Sequence, residues 1–434
     1  MSAQPHPQSH TVTRYLQKRS LEGPWRLQSG DENRHLTKRF HGVIVIPALA
    51  EGDSLFATIN SLMAIPVADR KDVLILIVIN QTKNADPQTT AQNQADLQRL
   101  QRLADKVDSP LAWLDAASPG LELASKKAGV GLARKLGMDA ALPLLNGQAD
   151  PLLICLDADT LVEPNYLQAI RHHYQHSKAG AAVHPFRHQT ASIPEQQQAI
   201  DRYELFLRCY VLGLELAGSP YAFNSVGSAI SCRAQAYIRC GGMNQRLAGE
   251  DFYFLQKLAK TDGVERLRGT TVYPSPRSSS RTPFGTGRSM QQLLEPQGSL
   301  TFYPVAPFQI LAQWLKLIQD NTTDTAENLL NEAQNISPIL ADFLHQADWE
   351  QTWQKLQQNH RSAPEQRRAF HIWFDGLKTL RLIHALCDAT PRDQAEQIVP
   401  ELFCWGKIAQ AETLPAMLEQ LRQQQQGKTL NSRT

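Results

Sequence analysis

The stretch LLICLDADTLVEP, Leu152 to Pro164, sets an unbroken apolar run, Leu152 to Leu156, against two carboxylates, Asp157 and Asp159, one alanine apart. A short apolar run ending in charge reads as a strand buried on both faces, the mark of a parallel sheet. In open parallel sheets, ligands bind outside the carboxyl ends of the strands, and both aspartates fall at such an end. Alternate residues of an extended segment point to the same side, so the pair is expected to converge. Two like charges that close raise each other's pKa unless a cation stands between them. Mg2+ or Mn2+ is the natural cation, since hard cations take oxygen ligands and bind carboxylates together with substrate phosphates. The plainer alternative is that Asp157 ends the strand and Asp159 caps the helix at LVEPNYLQAI.

Working outward, GVIVIPALAEG contains a continuous β-branched run, Val43 to Ile46, that Pro47 is expected to end. Leu55, Ile59 and Leu62 follow at the spacing of one helix face. VLILIVIN, Val73 to Asn80, is a second strand, and LAWLDA a shorter third. The Gln- and Asp-rich stretch between them, through Gln101, reads as a helix or a long loop. GLELASKKAGVGLARKLGMDAAL reads as a helix, AGAAVHPF as a strand, and NSVGSAISCRAQAYI as a strand leading into a helix. Strands alternating with helices predict an α/β fold with a mostly parallel sheet flanked by helices. From about Pro304 the alternation stops and only helical patterns remain. The expected organisation is a basic arm over 1–40, loosely docked, a sheet domain over 41–303, a helical region over 304–425 and a flexible tail over 426–434.

The chain has 434 residues, enough for two hydrophobic cores. At 42% hydrophobic and 20% charged it is globular in composition, and a net charge of +2 gives no bulk field for nucleic acid. Six dispersed cysteines with no CxxC exclude a zinc knuckle and fit free thiols in a reducing, cytoplasmic setting. The N-terminus lacks the apolar core of a secretory signal. No run reaches the roughly 20 apolar residues of a spanning helix, so any membrane contact is peripheral, at an inner membrane face.

A second acidic pair stands in GGMNQRLAGEDFYFLQKLAK, where Glu250 and Asp251 open a segment with Phe252, Leu255 and Leu258 on one face. The helix dipole alone favours acids there; the functional alternative is a general base. VIVIPAxxE, a second strand, a basic Gly/Ala-rich helix, LDAD and then GG…GED together resemble a family 2 glycosyltransferase of the GT-A fold, over about residues 41–290. The resemblance implies a nucleotide-diphospho-sugar donor and an inverting, metal-dependent transfer to an acceptor hydroxyl, with the acceptor a glycan, a lipid-linked group or a small molecule. It assigns Pro47, Ala48 and Glu51 to the nucleotide end of the donor site, Asp157 and Asp159 to metal and donor, and Asp251 to the catalytic base, with Glu250 beside it. Two features depart from the family. Asn80 ends the second strand where the family has an aspartate for the base or ribose. No histidine lies between Asp251 and Gln297, where some members supply one to the metal.

Within SKKAGVGLARK, Lys127 and Arg134 lie seven residues apart, on one helical face, beside the donor diphosphate in the family's arrangement. Lys135 reads as solvated. From Arg266 to Leu294 there are five arginines and no acid. Arg277, Arg281 and Arg288 sit among Ser, Thr, Pro and Gly, hence in a loop that can meet the donor diphosphate bidentately or select an anionic acceptor. His172 and His176 read as surface residues, His184, Arg187 and His188 as a border of the acceptor, and the tryptophans as core. PALAEG lacks GxGxxG, which argues against a dinucleotide fold. Two rival readings stay open: a nucleotidyltransferase, and a catalytically silent GT-A module that binds a sugar nucleotide.

Overall fold

The computed structural model describes residues 10–30, 36–124, 129–147, 150–246, 249–278 and 285–426. The chain forms two compact units, one drawn from 1–191, 225–289 and 424–434, the other from 192–224 and 290–423.

The first unit is built on strands β1 (Leu27–Gln28), β2 (Gly42–Ala48), β3 (Val73–Asn80), β4 (Leu111–Ala116), β5 (Leu152–Cys155), β6 (Leu161–Val162), β7 (Ala181–Val183), β8 (Ile230–Arg233), β9 (Val264–Arg266) and β10 (Val272–Tyr273). Eight of them make one sheet in the order β1-β4-β3-β2-β5-β8-β7-β9, and β10 pairs with β6 in a separate ribbon. The expected mixed α/β architecture with a mostly parallel sheet is present. β4, β3, β2 and β5 run parallel, and β8 enters antiparallel between β5 and β7. Every residue of β2 and β3 is buried, as solid β-branched runs require of central strands.

Pro47 does not end β2; it lies inside it, opposite Val78 of β3. The register explains why. Val45 accepts a hydrogen bond from Leu156 N at 3.2 Å, so odd positions of β2 face β5. Pairing with β5 stops at Val45 and Cys155. The N–H that proline lacks therefore has no ladder partner to lose.

The order of the chain reverses at β2. The connection to β3 and β4 steps one way, and β5 lies on the other side. A ligand crevice forms at such a switch point, beyond the carboxyl ends of the flanking strands. Glu51 follows β2 there, and Asp157 follows β5.

The helix Val130–Ala141 packs on β2 and β3 so closely that a Cβ at Gly137 would collide with Val45. Its residues from Gly131 to Asp139 are all buried. Lys135, expected in solvent, is one of them, because its ammonium donates to Asp139 at 2.8 Å. Asp139 also accepts from Tyr15 at 2.9 Å and Tyr237 at 2.7 Å. Tyr15 lies in the helix His10–Arg19, and β1 pairs with β4. The described part of the segment expected as a loose arm is thus anchored by one buried polar cluster and one edge strand.

The second unit is helical, as expected of the C-terminal region. Trp314, Trp349 and Trp353 stack with Phe370 and Phe374 in its core, all fully buried, so these tryptophans are packing residues. A buried ionic cluster ties the helix Leu414–Gln425 to the helix Pro194–Leu216. Glu204 accepts from Arg208 at 2.8 Å and from Arg422 at 2.7 Å. Removing one partner of such a buried cluster costs about 3–5 kcal/mol, although Arg422 keeps Asp201 at 3.1 Å. Glu204→Leu is expected to lower the urea midpoint accordingly; an unchanged midpoint would show that the cluster adds no net stability. Among the described residues, no helix is long and apolar enough to cross a membrane.

Candidate active site

β5 delivers Asp157 and Asp159 to the crevice, but not on an extended segment. The chain turns at Ala158–Asp159, with Thr160 N donating to Asp157 O at 3.2 Å. The two carboxylates consequently meet different cations. Asp157 pairs with Arg134, and Asp159 with Arg277 at 2.8 Å.

Arg134 is the hub of the site. One terminal nitrogen donates to Asp157 and the other to Glu250, and its side chain is 3% exposed. A Cβ at Gly227 would collide with this guanidinium, so a larger residue there would have to displace it. Arg134 Nε is buried without a hydrogen-bond partner. The two acidic motifs, separated by some ninety residues, are joined through this one side chain.

The adjacent acids of GED have different surroundings. Glu250 is buried and fixed by Arg134. Asp251 is half-buried, and its own backbone neighbour, Phe252 N, donates to it at 2.7 Å. Burial first, then the charge of Glu250, push Asp251 up to about 7, while Arg134 pulls it down. Burial also pushes Asp159 up to about 7 against the pull of Arg277, with Asp157 and Glu51 adding to the rise.

Arg277 follows β10 and reaches back across the crevice. It contacts Glu51 at 2.5 Å as well as Asp159. Pairing of β10 with β6 brings it near Asp159, and Gln189 reinforces the approach by donating to Asp159 O at 2.8 Å and to Tyr273 O at 2.7 Å. Glu51 sits in a loop where Ala50 and Gly52 both adopt positive φ. Two fully buried side chains of the helix Pro87–Ala104 pin that loop: Ala50 N donates to Asn93 at 2.8 Å, and Gly52 N to Asp96 at 3.1 Å. The Gln-rich stretch hides Asn93 and Asp96 from a reading of sequence alone. The signal for them is an Asn and an Asp three residues apart, hence on one helix face.

Asn80 donates to Ala48 O at 2.9 Å and to Val78 O at 3.3 Å. A carboxylate has no proton to give there, so asparagine at this place closes the ends of β2 and β3 together. Pro47 and Ala48 are both buried in β2, and the Ala48 carbonyl is the one Asn80 engages. Lys127 and Arg281 lie outside the described residues. His184 does not offer a free ring to an acceptor: it sits between Tyr166 at 3.3 Å and Ser231 at 2.8 Å, and burial pushes it down to about 3, keeping it neutral. His172 and His176 are exposed on their helix.

Residues 152–317 match the family described as glycosyl transferase family group 2, a segment that contains both acidic motifs and Arg277. No curated protein matches the sequence. Among solved structures, S. aureus TarS 1-349 aligns at 11% identity and a TM-score of 0.36, covering 76% of this chain and 90% of that one. TarS 1-349 in complex with UDP-GlcNAc aligns at 12% identity and a TM-score of 0.36, covering 90% and 93%. Over residues 152–317, which take in the carboxylates after β5, the acids of GED and Arg277, the chain is thus similar to the glycosyl transferase family group 2.

Proposed function

We propose that this chain moves a sugar from a nucleotide-diphospho-sugar to an acceptor hydroxyl with inversion at the anomeric carbon. The observation that carries this reading is Arg134, which holds the acid after β5 and the acid opening the helix Glu250–Thr261 around one crevice at the switch point of the sheet. The acceptor oxygen attacks the anomeric carbon as the bond to the diphosphate breaks. The nucleoside diphosphate leaves with the bonding electrons, and the hydroxyl proton passes to Asp251. Arg277 provides a guanidinium matched to phosphate.

Mg2+ or Mn2+ fits the residues present. Five carboxylates (Glu51, Asp157, Asp159, Glu250 and Asp251) face two guanidiniums, leaving a formal excess of three negative charges. Among the described residues, no group of three or more His, Cys, Asp or Glu is placed to hold a metal. Asp157 and Asp159 would be the protein's share, a number that suits a cation whose remaining ligands are phosphate and water. When bound, the cation neutralises charge growing on the leaving diphosphate. Six free cysteines fit a reducing, cytoplasmic setting.

A thermal-shift panel of UDP, GDP and other nucleoside diphosphates, with and without Mn2+, tests the donor assignment. A ligand at one hundred times its Kd adds about 2.7 kcal/mol to stability, so the matching nucleotide is expected to raise Tm visibly, and more with Mn2+. No rise with any member would remove the donor assignment. Release of inorganic diphosphate in place of nucleoside diphosphate would support nucleotidyl transfer, and binding without turnover on any acceptor would support a silent module.

A further inference from the structure

The two guanidiniums of the crevice differ in the properties that decide whether a side chain can move. Arg134 belongs to a helix, is 3% exposed and is boxed in by Gly227. Arg277 lies outside any helix or strand, and its side chain is 36% exposed. Its partners, by contrast, are fixed. Glu51 sits in the loop pinned by Asn93 and Asp96, and the Asp159 backbone is held by Gln189. Arg277 is thus the less confined of the two guanidiniums, set against partners whose backbone is held in place.

Resting on the sugar-nucleotide reading above, we propose that Arg277 exchanges partners during donor binding. One set is the pair seen here, Glu51 and Asp159. The other is the donor diphosphate. Arg277 and a divalent cation compete for the same Asp159 carboxylate, because each supplies the positive charge that a buried carboxylate requires. A cation arriving on Asp159 displaces the guanidinium, which then meets a phosphate group whose geometry it matches. Arg277 in this scheme is a positioning residue: it guards the metal carboxylate in one state and clamps the donor in the other. No covalent bond is made or broken.

The exchange makes an unusual demand, since removing Arg277 must shift two affinities in opposite directions. Mn2+ binding is measured by the electron paramagnetic resonance of the free ion, first alone and then with UDP and with GDP. Arg277→Gln is expected to bind Mn2+ alone about tenfold more tightly, because Asp159 has lost its competitor. It is expected to bind nucleotide in saturating Mn2+ about tenfold more weakly, the scale of one charge-assisted hydrogen bond. Arg277→Lys, which keeps the charge without the fork, should leave Mn2+ affinity near wild type and give an intermediate nucleotide affinity. Adding Asp159→Asn to Arg277→Gln should erase the gain in Mn2+ affinity. Wild-type Tm in Arg277→Gln confirms that the fold is intact. If wild type binds nucleotide but Arg277→Gln leaves Mn2+ affinity unchanged, or moves both affinities the same way, the exchange is overturned alone. If wild type binds neither Mn2+ nor any nucleotide, the sugar-nucleotide reading fails and the exchange fails with it.

Discussion

Asp251→Asn is expected to lower kcat by about 10²–10⁴-fold, the usual contribution of a positioned general base, with Tm and donor affinity near wild type. The two adjacent acids are held differently. Glu250 is buried and committed to Arg134, so it cannot approach an acceptor. Asp251 keeps partial exposure and makes no ion pair among the described residues. Burial and the Glu250 charge raise its pKa to about 7, which suits a base working near neutral pH. A base acts in its deprotonated form, so kcat/KM is expected to climb as pH rises through the neutral range and level off above it. In Asp251→Asn that limb should vanish along with most of the rate. Steady-state release of nucleoside diphosphate across roughly pH 5.5–9 is the measurement, in the range where that group titrates. Wild-type kcat in Asp251→Asn would move the base to another residue.

The strands are legible because their chemistry is local. Val43 to Ile46 and Val73 to Ile79 can only be central strands, and Leu152 to Leu156 announces its strand in the same way. The helical nature of the C-terminal region is legible for the same reason. What stays hidden depends on distant partners. Lys135 reads as a surface cation until Tyr15, 120 residues away, and Asp139 are seen around it. Arg134 shows its role only when Glu250, 116 residues on, folds against it. Asn93 and Asp96 carry no apolar pattern at all, and their burial comes from loop amides that they satisfy. Pro47 reads as a strand end because its actual effect depends on where β5 stops pairing. Asn80 reads as a loss relative to an aspartate, whereas its amide supplies a donor to Ala48 that an aspartate lacks.

Arg134→Met is expected to have the largest effect on the molecule, because it strikes stability and donor binding together. The substitution keeps the volume roughly but leaves Glu250 buried without its counter-ion. Removing one partner of a buried ion pair costs about 3–5 kcal/mol, whereas replacing a whole buried ionic group with apolar residues is often neutral. Most of the loss falls on Glu250, whose side chain is 5% exposed; Asp157 is 33% exposed and keeps part of its hydration. This asymmetry makes the cause testable. Arg134→Met/Glu250→Gln removes the stranded charge and should recover much of the denaturation midpoint. It should not recover nucleotide binding, because the side chain that fixes Asp157 in the crevice is still missing. Arg134→Lys should fall between, since one ammonium cannot reproduce a guanidinium that reaches two carboxylates at once. Urea titrations and nucleotide titrations of the same three variants separate the two effects. Recovery of both in the double variant would mean that Arg134 is a folding residue only, and recovery of neither would place the loss in packing around Gly227 instead of charge.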